Sequence, residues 1–130
     1  MKHVAIFALV VTFLFVSCSL NLDVSYLRAV NASINANYED VITDIYICAG
    51  ATNDNYISIW NGKLHPGQTA KIEIATGHYG VKFVGKRYYN SGIEKDISET
   101  TGYKTPVKFA EYYTVRVTYD GNGIVAKEED

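Results

Sequence analysis

Histidine and cysteine are scarce in this chain, and the scarcity bounds its chemistry. The 130 residues include three His and two Cys. Nucleophilic catalysis needs a Ser or Cys beside a histidine that a carboxylate orients. After the N-terminal segment only His65 and His78 remain, each close to a turn glycine, where a solvated loop histidine is the simpler expectation. Cys48 with two scattered histidines lacks metal-ligand spacing. Asn53-Asp54-Asn55 offers oxygens, but no full calcium loop surrounds it. Glu39-Asp40 and Glu128-Glu129 are adjacent, and adjacent residues of a strand point to opposite faces, so neither pair makes a shared acid–base site there. Gly-rich phosphate motifs are absent. The expectation is no enzyme, no cofactor and no metal.

An excess of positive charge is missing too. The formal net charge is −2. All fourteen acidic residues and eleven of the twelve basic ones follow Ser17, so that part is three charges negative. Nucleic-acid binding, which wants a basic surface, is not expected. Prolines number two, and no window after the N-terminus shows a 3.6-residue apolar period. A helical or parallel α/β architecture is therefore disfavoured.

The N-terminus holds the one long apolar run. Lys2 opens it with a positive charge, and Val4 to Val16 is apolar except for Thr12. That length suits a signal h-region and falls short of the roughly 20 residues of a membrane-spanning helix. Phe15-Val16-Ser17-Cys18 resembles the lipobox of bacterial lipoproteins, with Phe15 where the family usually has Leu. The resemblance implies a signal at 1–17, an acylated Cys18, a tether over 18–23 and a lipid anchor in a bacterial membrane. Each buried acyl CH₂ adds about 0.8 kcal/mol, so two or three chains hold durably. A plain secretory signal cut between Ser17 and Leu20, or a short buried helix, is the alternative. A Cys18–Cys48 disulfide requires that Cys18 is not processed. Cys48 itself sits in the apolar run Ile45–Ala49, where a small buried residue is expected.

From Val24 onward the pattern is period two. Strands are expected over Val24–Val30, Val41–Cys48, Tyr56–Trp60, Thr69–Ala75, His78–Val84 with a continuation past Gly85 to Tyr89, Val107–Phe109 and Tyr113–Tyr119. Ile124–Lys127 can pair back across Asp120–Gly123. Asn31 to Asp40 reads as a loop, and Ile93 to Tyr103 has no clear pattern. Val41, Thr43, Ile45 and Ile47 should share one face. Asn61-Gly62 signals a tight turn, and Pro66-Gly67 another. Gly77 with Tyr79 suggests a tyrosine corner. Strands at this spacing predict an all-β fold, a single antiparallel β-sandwich of about seven strands over 24–127, with 128–130 frayed.

Several of these pieces resemble small immunoglobulin-like and prealbumin-like sandwiches of bacterial surface proteins. They are Leu64-His65-Pro66-Gly67, Gly77-His78-Tyr79-Gly80-Val81 and Tyr112-Tyr113-Thr114-Val115-Arg116-Val117. Such a fold is nearly silent on function. Eleven tyrosines suit half-buried strands and binding surfaces alike. Trp60 with Tyr56, and Tyr88-Tyr89 beside Arg87, are the candidate aromatic surface for a glycan or peptide, although Trp60 equally suits the core. The expected role is a non-enzymatic structural or interaction module anchored through Cys18, with a protein or glycan partner. Alternatives are a carbohydrate- or peptide-binding module and a small periplasmic inhibitor of a hydrolase, the latter using a protruding loop such as Gly50–Asn55.

Overall fold

A computed structural model of the chain describes residues 23–49, 55–102 and 105–129. The signal, Cys18, the tether to residue 22 and the loop 50–54 lie outside the described residues. Nine strands fill the rest: β1 Val24–Asn31, β2 Tyr38–Ala49, β3 Ile57–Leu64, β4 Thr69–Ala75, β5 Gly77–Tyr89, β6 Glu94–Thr100, β7 Val107–Phe109, β8 Thr114–Tyr119 and β9 Ile124–Glu129. They form two sheets. One has the order β4-β1-β8-β9; the other has β3-β2-β5-β6, with β7 paired to the start of β5. The chain is thus an all-β sandwich, as the alternation predicts, of about nine strands rather than about seven. The difference lies in β6, from the stretch without clear pattern, and in β9, which pairs along all of β8.

Alternation builds the core. Ala70, Ile72 and Ile74 of β4 face Leu27 and Ala29 of β1 and Val115 and Val117 of β8 in one apolar layer. Ile45, Ile47, Trp60, Val81, Phe83 and Ile97 close it from the other sheet. Burying a residue such as Leu, Ile or Phe contributes about 1.5–3 kcal/mol, so this double layer dominates the fold's stability. Tyr79 behaves as a tyrosine corner. Its ring packs 5.7 Å from Phe109, and its hydroxyl donates to the Ala75 carbonyl at 2.9 Å.

Four expectations need correction. β1 runs parallel to β8, because no hairpin joins these distant segments and so none dictates their direction. β2 does not place Val41, Thr43, Ile45 and Ile47 on one face. Its pairing with β5 shifts between Ile42 and Asp44, which makes Thr43 a bulge residue there; against β3 the extra residue lies on β3, between Asn61 and Leu64. One extra residue inverts the parity of everything before it, so Ile42 joins Ile45 and Ile47 in the core. Asn61-Gly62 is no turn: β3 continues to Leu64, and Gly62 leaves room for the Trp60 ring, which a Cβ would approach to 2.9 Å. The C-terminal charges do not fray up to Glu129, which pairs with Thr114 and reaches Arg28 at 3.3 Å.

Candidate functional site

Four connections gather at one end of the sandwich, opposite the end where β1 begins. They are the loops 32–37 and 65–68 and the turns 90–93 and 120–123. The chain ties them together itself. Gly67 donates its backbone N–H to the Asn31 carbonyl at 2.7 Å, and Asn90 donates to the Asn37 carbonyl at 2.9 Å. Pro66-Gly67 turns as the dipeptide predicts, with Gly67 at φ 89°.

Beneath these loops lies a buried polar cluster that sequence reading did not assemble. Asp40 of β2 has no side-chain exposure. Its Oδ1 accepts from Arg87 Nε at 2.8 Å, and its Oδ2 accepts from Arg87 Nη2 at 3.0 Å and the Tyr119 hydroxyl at 2.7 Å. The guanidinium also donates to the Gly121 carbonyl at 3.0 Å and stacks 3.8 Å from the Tyr38 ring centroid. Beside it, buried Asn31 donates to the Asp40 and Leu64 carbonyls, each at 2.8 Å, and accepts from the Ser33 hydroxyl at 2.7 Å. Asn31 belongs to β1 and Asp40 to β2, so neither is the loop residue expected. Strands from both sheets thus meet on one carboxylate. The fork-on-fork Arg–carboxylate contact is geometrically specific and joins β2 to β5 within one sheet, while the bonds from Tyr119 to Asp40 and from Arg87 to Gly121 tie that pair to the other sheet. With both oxygens engaged, Asp40 is a structural anchor rather than a base facing solvent.

The Tyr119 hydroxyl titrates well above its ordinary value of 10.0, first because it is buried and second because it donates to Asp40. A raised value means that the folded protein holds a proton which the unfolded chain releases. The stabilisation is therefore complete below pH 10 and declines as pH rises from there toward the folded value. Alkaline titration followed by circular dichroism should show stability falling above pH 10. Tyr119→Phe should start about 1.5–3 kcal/mol lower, since it deletes a hydrogen bond to a charged group, and should lose much of that slope.

Two clefts open around the cluster. One, of about 280 Å³, lies between β6 and the β8–β9 turn, with Lys95, Asp96, Ser98, Glu99 and Asn122 around a floor of Arg87 and Tyr119. The other, of about 370 Å³, lies beside Ile34, Tyr38, Glu39, Pro66 and Asn90. Ile34 is 92% exposed at its rim, on a loop held on both sides. His65 meets Glu39 there at 3.1 Å.

The expected aromatic surface is not one surface. Trp60 is 6% exposed within the core, so it offers no platform. Tyr56 lies toward the opposite end; Lys82 Nζ sits 4.7 Å from its ring centroid, and its hydroxyl bonds Thr100. Arg87 and Tyr89 face inward, Tyr89 meeting Tyr38 edge-on at 5.4 Å. Tyr88 alone faces out from the far end of β5. Alternation separates Tyr88 from its neighbours, and the core claims Trp60 because it stands opposite Ile45. Ile34 and Asp40 carried no local signal, since the partners of Asp40 stand 47 and 79 positions away. The Gly50–Asn55 loop considered for an inhibitor lies almost wholly outside the described residues, and Cys18 lies outside them too. Among the described residues no group of three or more His, Cys, Asp or Glu is placed to hold a metal ion.

The class of protein these features define is a two-sheet β-sandwich with a braced loop end. In comparisons with known proteins, no family model, no curated protein and no solved structure matches the chain.

Proposed function

We propose that this protein is a non-enzymatic interaction module, exported and held at a bacterial membrane through Cys18, which presents its braced loop end to a protein or glycan partner. The observation that carries the reading is the opposition of the sandwich's two ends. β1, the strand nearest in sequence to the lipobox-like segment, begins at Val24, while exposed Ile34 and its cleft lie at the far end of the same strand. β1 is hydrogen-bonded on both sides, to β4 and β8. A pull on the tether thus shears two ladders at once, which suits a module held by its N-terminus. A singly exposed apolar residue beside polar groups fits a small recognition surface.

The experiment has two arms. Fatty-acid labelling of the full chain in a bacterial host should mark the protein and place it with the membranes, and Cys18→Ala should lose both. Label that persists in Cys18→Ala would end the anchored reading. Photo-crosslinking from position 34 in intact cells should give a discrete adduct that Glu39→Lys, across the cleft, diminishes. A crosslinking pattern indifferent to Glu39→Lys would end the role given to the loop end.

A further inference from the structure

The outer face of the β4-β1-β8-β9 sheet carries a feature independent of the loop end. Its register sets Lys71 opposite Arg28, Arg28 beside Arg116, and Arg116 opposite Lys127. The sequence neighbours of the first three, Ala70, Ile72, Leu27, Ala29, Val115 and Val117, are core residues, so these side chains point outward, and Lys127 is exposed too. Four cations therefore stand in one straight row across all four strands, about 4.8 Å apart from strand to strand. Like charges directly opposite one another destabilise a sheet. Here the fold sets four in line on a chain whose net charge is negative.

The row is partly balanced from within. Glu129 stands 3.3 Å from Arg28 and 3.7 Å from Arg116, and Lys71 Nζ lies 4.5 Å from the Tyr26 ring centroid. Glu73, Tyr26, Thr114 and Glu129 make the next row on one side; Thr69, Val30, Thr118 and Val125 make the next on the other. Positive charge is thus confined to a line, with acids along one flank and hydroxyls along the other.

We propose that this row binds a linear anionic polysaccharide lying across the strands. Its carboxylates pair with Lys71, Arg28, Arg116 and Lys127, and its sugar hydroxyls meet Thr69 and Thr118. The strand spacing is close to the length of one sugar unit, so a chain lying along the row can bring its sheet-facing carboxylates to these cations. An anionic bilayer fits less well, because a plane of headgroups covers the flanking Glu73 and Glu129 directly, whereas a chain one sugar wide can lie along the cationic row alone. A single-stranded nucleic acid asks for exposed aromatic faces on which to stack, and Tyr26, the aromatic of these rows, is covered by Lys71. The proposal rests on the reading of the chain as an interaction module and gives the chemistry of one partner.

The test is equilibrium binding of the full chain, in non-ionic detergent, to polygalacturonate, with neutral dextran and mixed micelles of phosphatidylglycerol in the same detergent measured alongside. Polygalacturonate should bind, more weakly as salt rises, and dextran should not. The double variant Arg116→Gln, Lys127→Gln should weaken binding severalfold, at up to about fivefold per exposed charge. Glu129→Gln removes the internal competitor and should tighten binding severalfold, which a merely structural role would not predict. Lys86→Gln, on the other sheet, should change nothing. An affinity unmoved by both the double variant and Glu129→Gln would overturn the proposal, as would binding to the phosphatidylglycerol micelles that the double variant weakens, without binding to polygalacturonate. Glu39→Lys tests the loop end and leaves this row intact, so either reading can fail alone.

Discussion

Replacing Arg87 with methionine is expected to destabilise the sandwich by about 3–5 kcal/mol, because it leaves a buried carboxylate without its counter-charge. Asp40 has no exposed side-chain surface and takes two of its three side-chain hydrogen bonds from Arg87. Tyr119 alone cannot offset the cost of that anion, and the guanidinium's bond to Gly121 is lost as well. Arg87→Lys should fall between the two, since an ammonium keeps the charge but not the planar fork. The double variant Asp40→Leu, Arg87→Met should recover most of the loss, because exchanging a whole buried pair for apolar groups of similar volume is often neutral. Urea unfolding of the four proteins gives the result directly. A single variant Arg87→Met as stable as the parent would show that the cluster does not join the sheets.

Gly85→Ala is expected to cost at least about 3 kcal/mol, the upper end of ordinary overpacking, because the obstacle is backbone rather than a movable side chain. Gly85 stands opposite Ile42 at the bulge. A Cβ there would collide with the Val41 carbonyl oxygen and lie 2.9 Å from Ile42 Cα. To accept alanine, β2 must move away from β5 at the place where the bulge aligns Ile42 with the core. Gly123→Ala is the comparison. Its Cβ would come no closer than 3.8 Å to Glu99, an ordinary contact, so the change should stay within about 0.5 kcal/mol. Thermal unfolding of the two variants checks the contrast, and equal midpoints would argue against close backbone approach at Gly85.

These two positions illustrate what was legible beforehand. Gly85 stands out as a glycine inside a strand pattern. The bulge lies across the ladder at Thr43, because a glycine can mark the strand that is approached closely as well as the one that bends. Arg87 was visible as a cation beside two tyrosines, which suggested a surface. In a strand the three alternate, and Arg87 goes inward to Asp40 while Tyr88 goes out. Asn61-Gly62 carried a strong local turn preference that lost to tertiary pairing, with Leu64 opposite Ile42 and the Trp60 ring over Gly62.

The period of two determined the all-β class, the place of most strands and the inward set of β4, because side-chain direction in a strand follows from local backbone geometry alone. Pro66-Gly67 and the Tyr79 corner were equally local, each complete within five residues. Register and sheet order are not local. They bring Asp40 to Tyr119 and Arg28 to Glu129 across 79 and 101 positions, and they line up four cations that stand scattered along the chain. One inserted residue at Thr43 reversed a face that alternation had assigned. The tertiary structure alone decided those matters, because hydrogen bonding between distant strands sets which residues stand opposite one another, and burial then decides which charges must be paired.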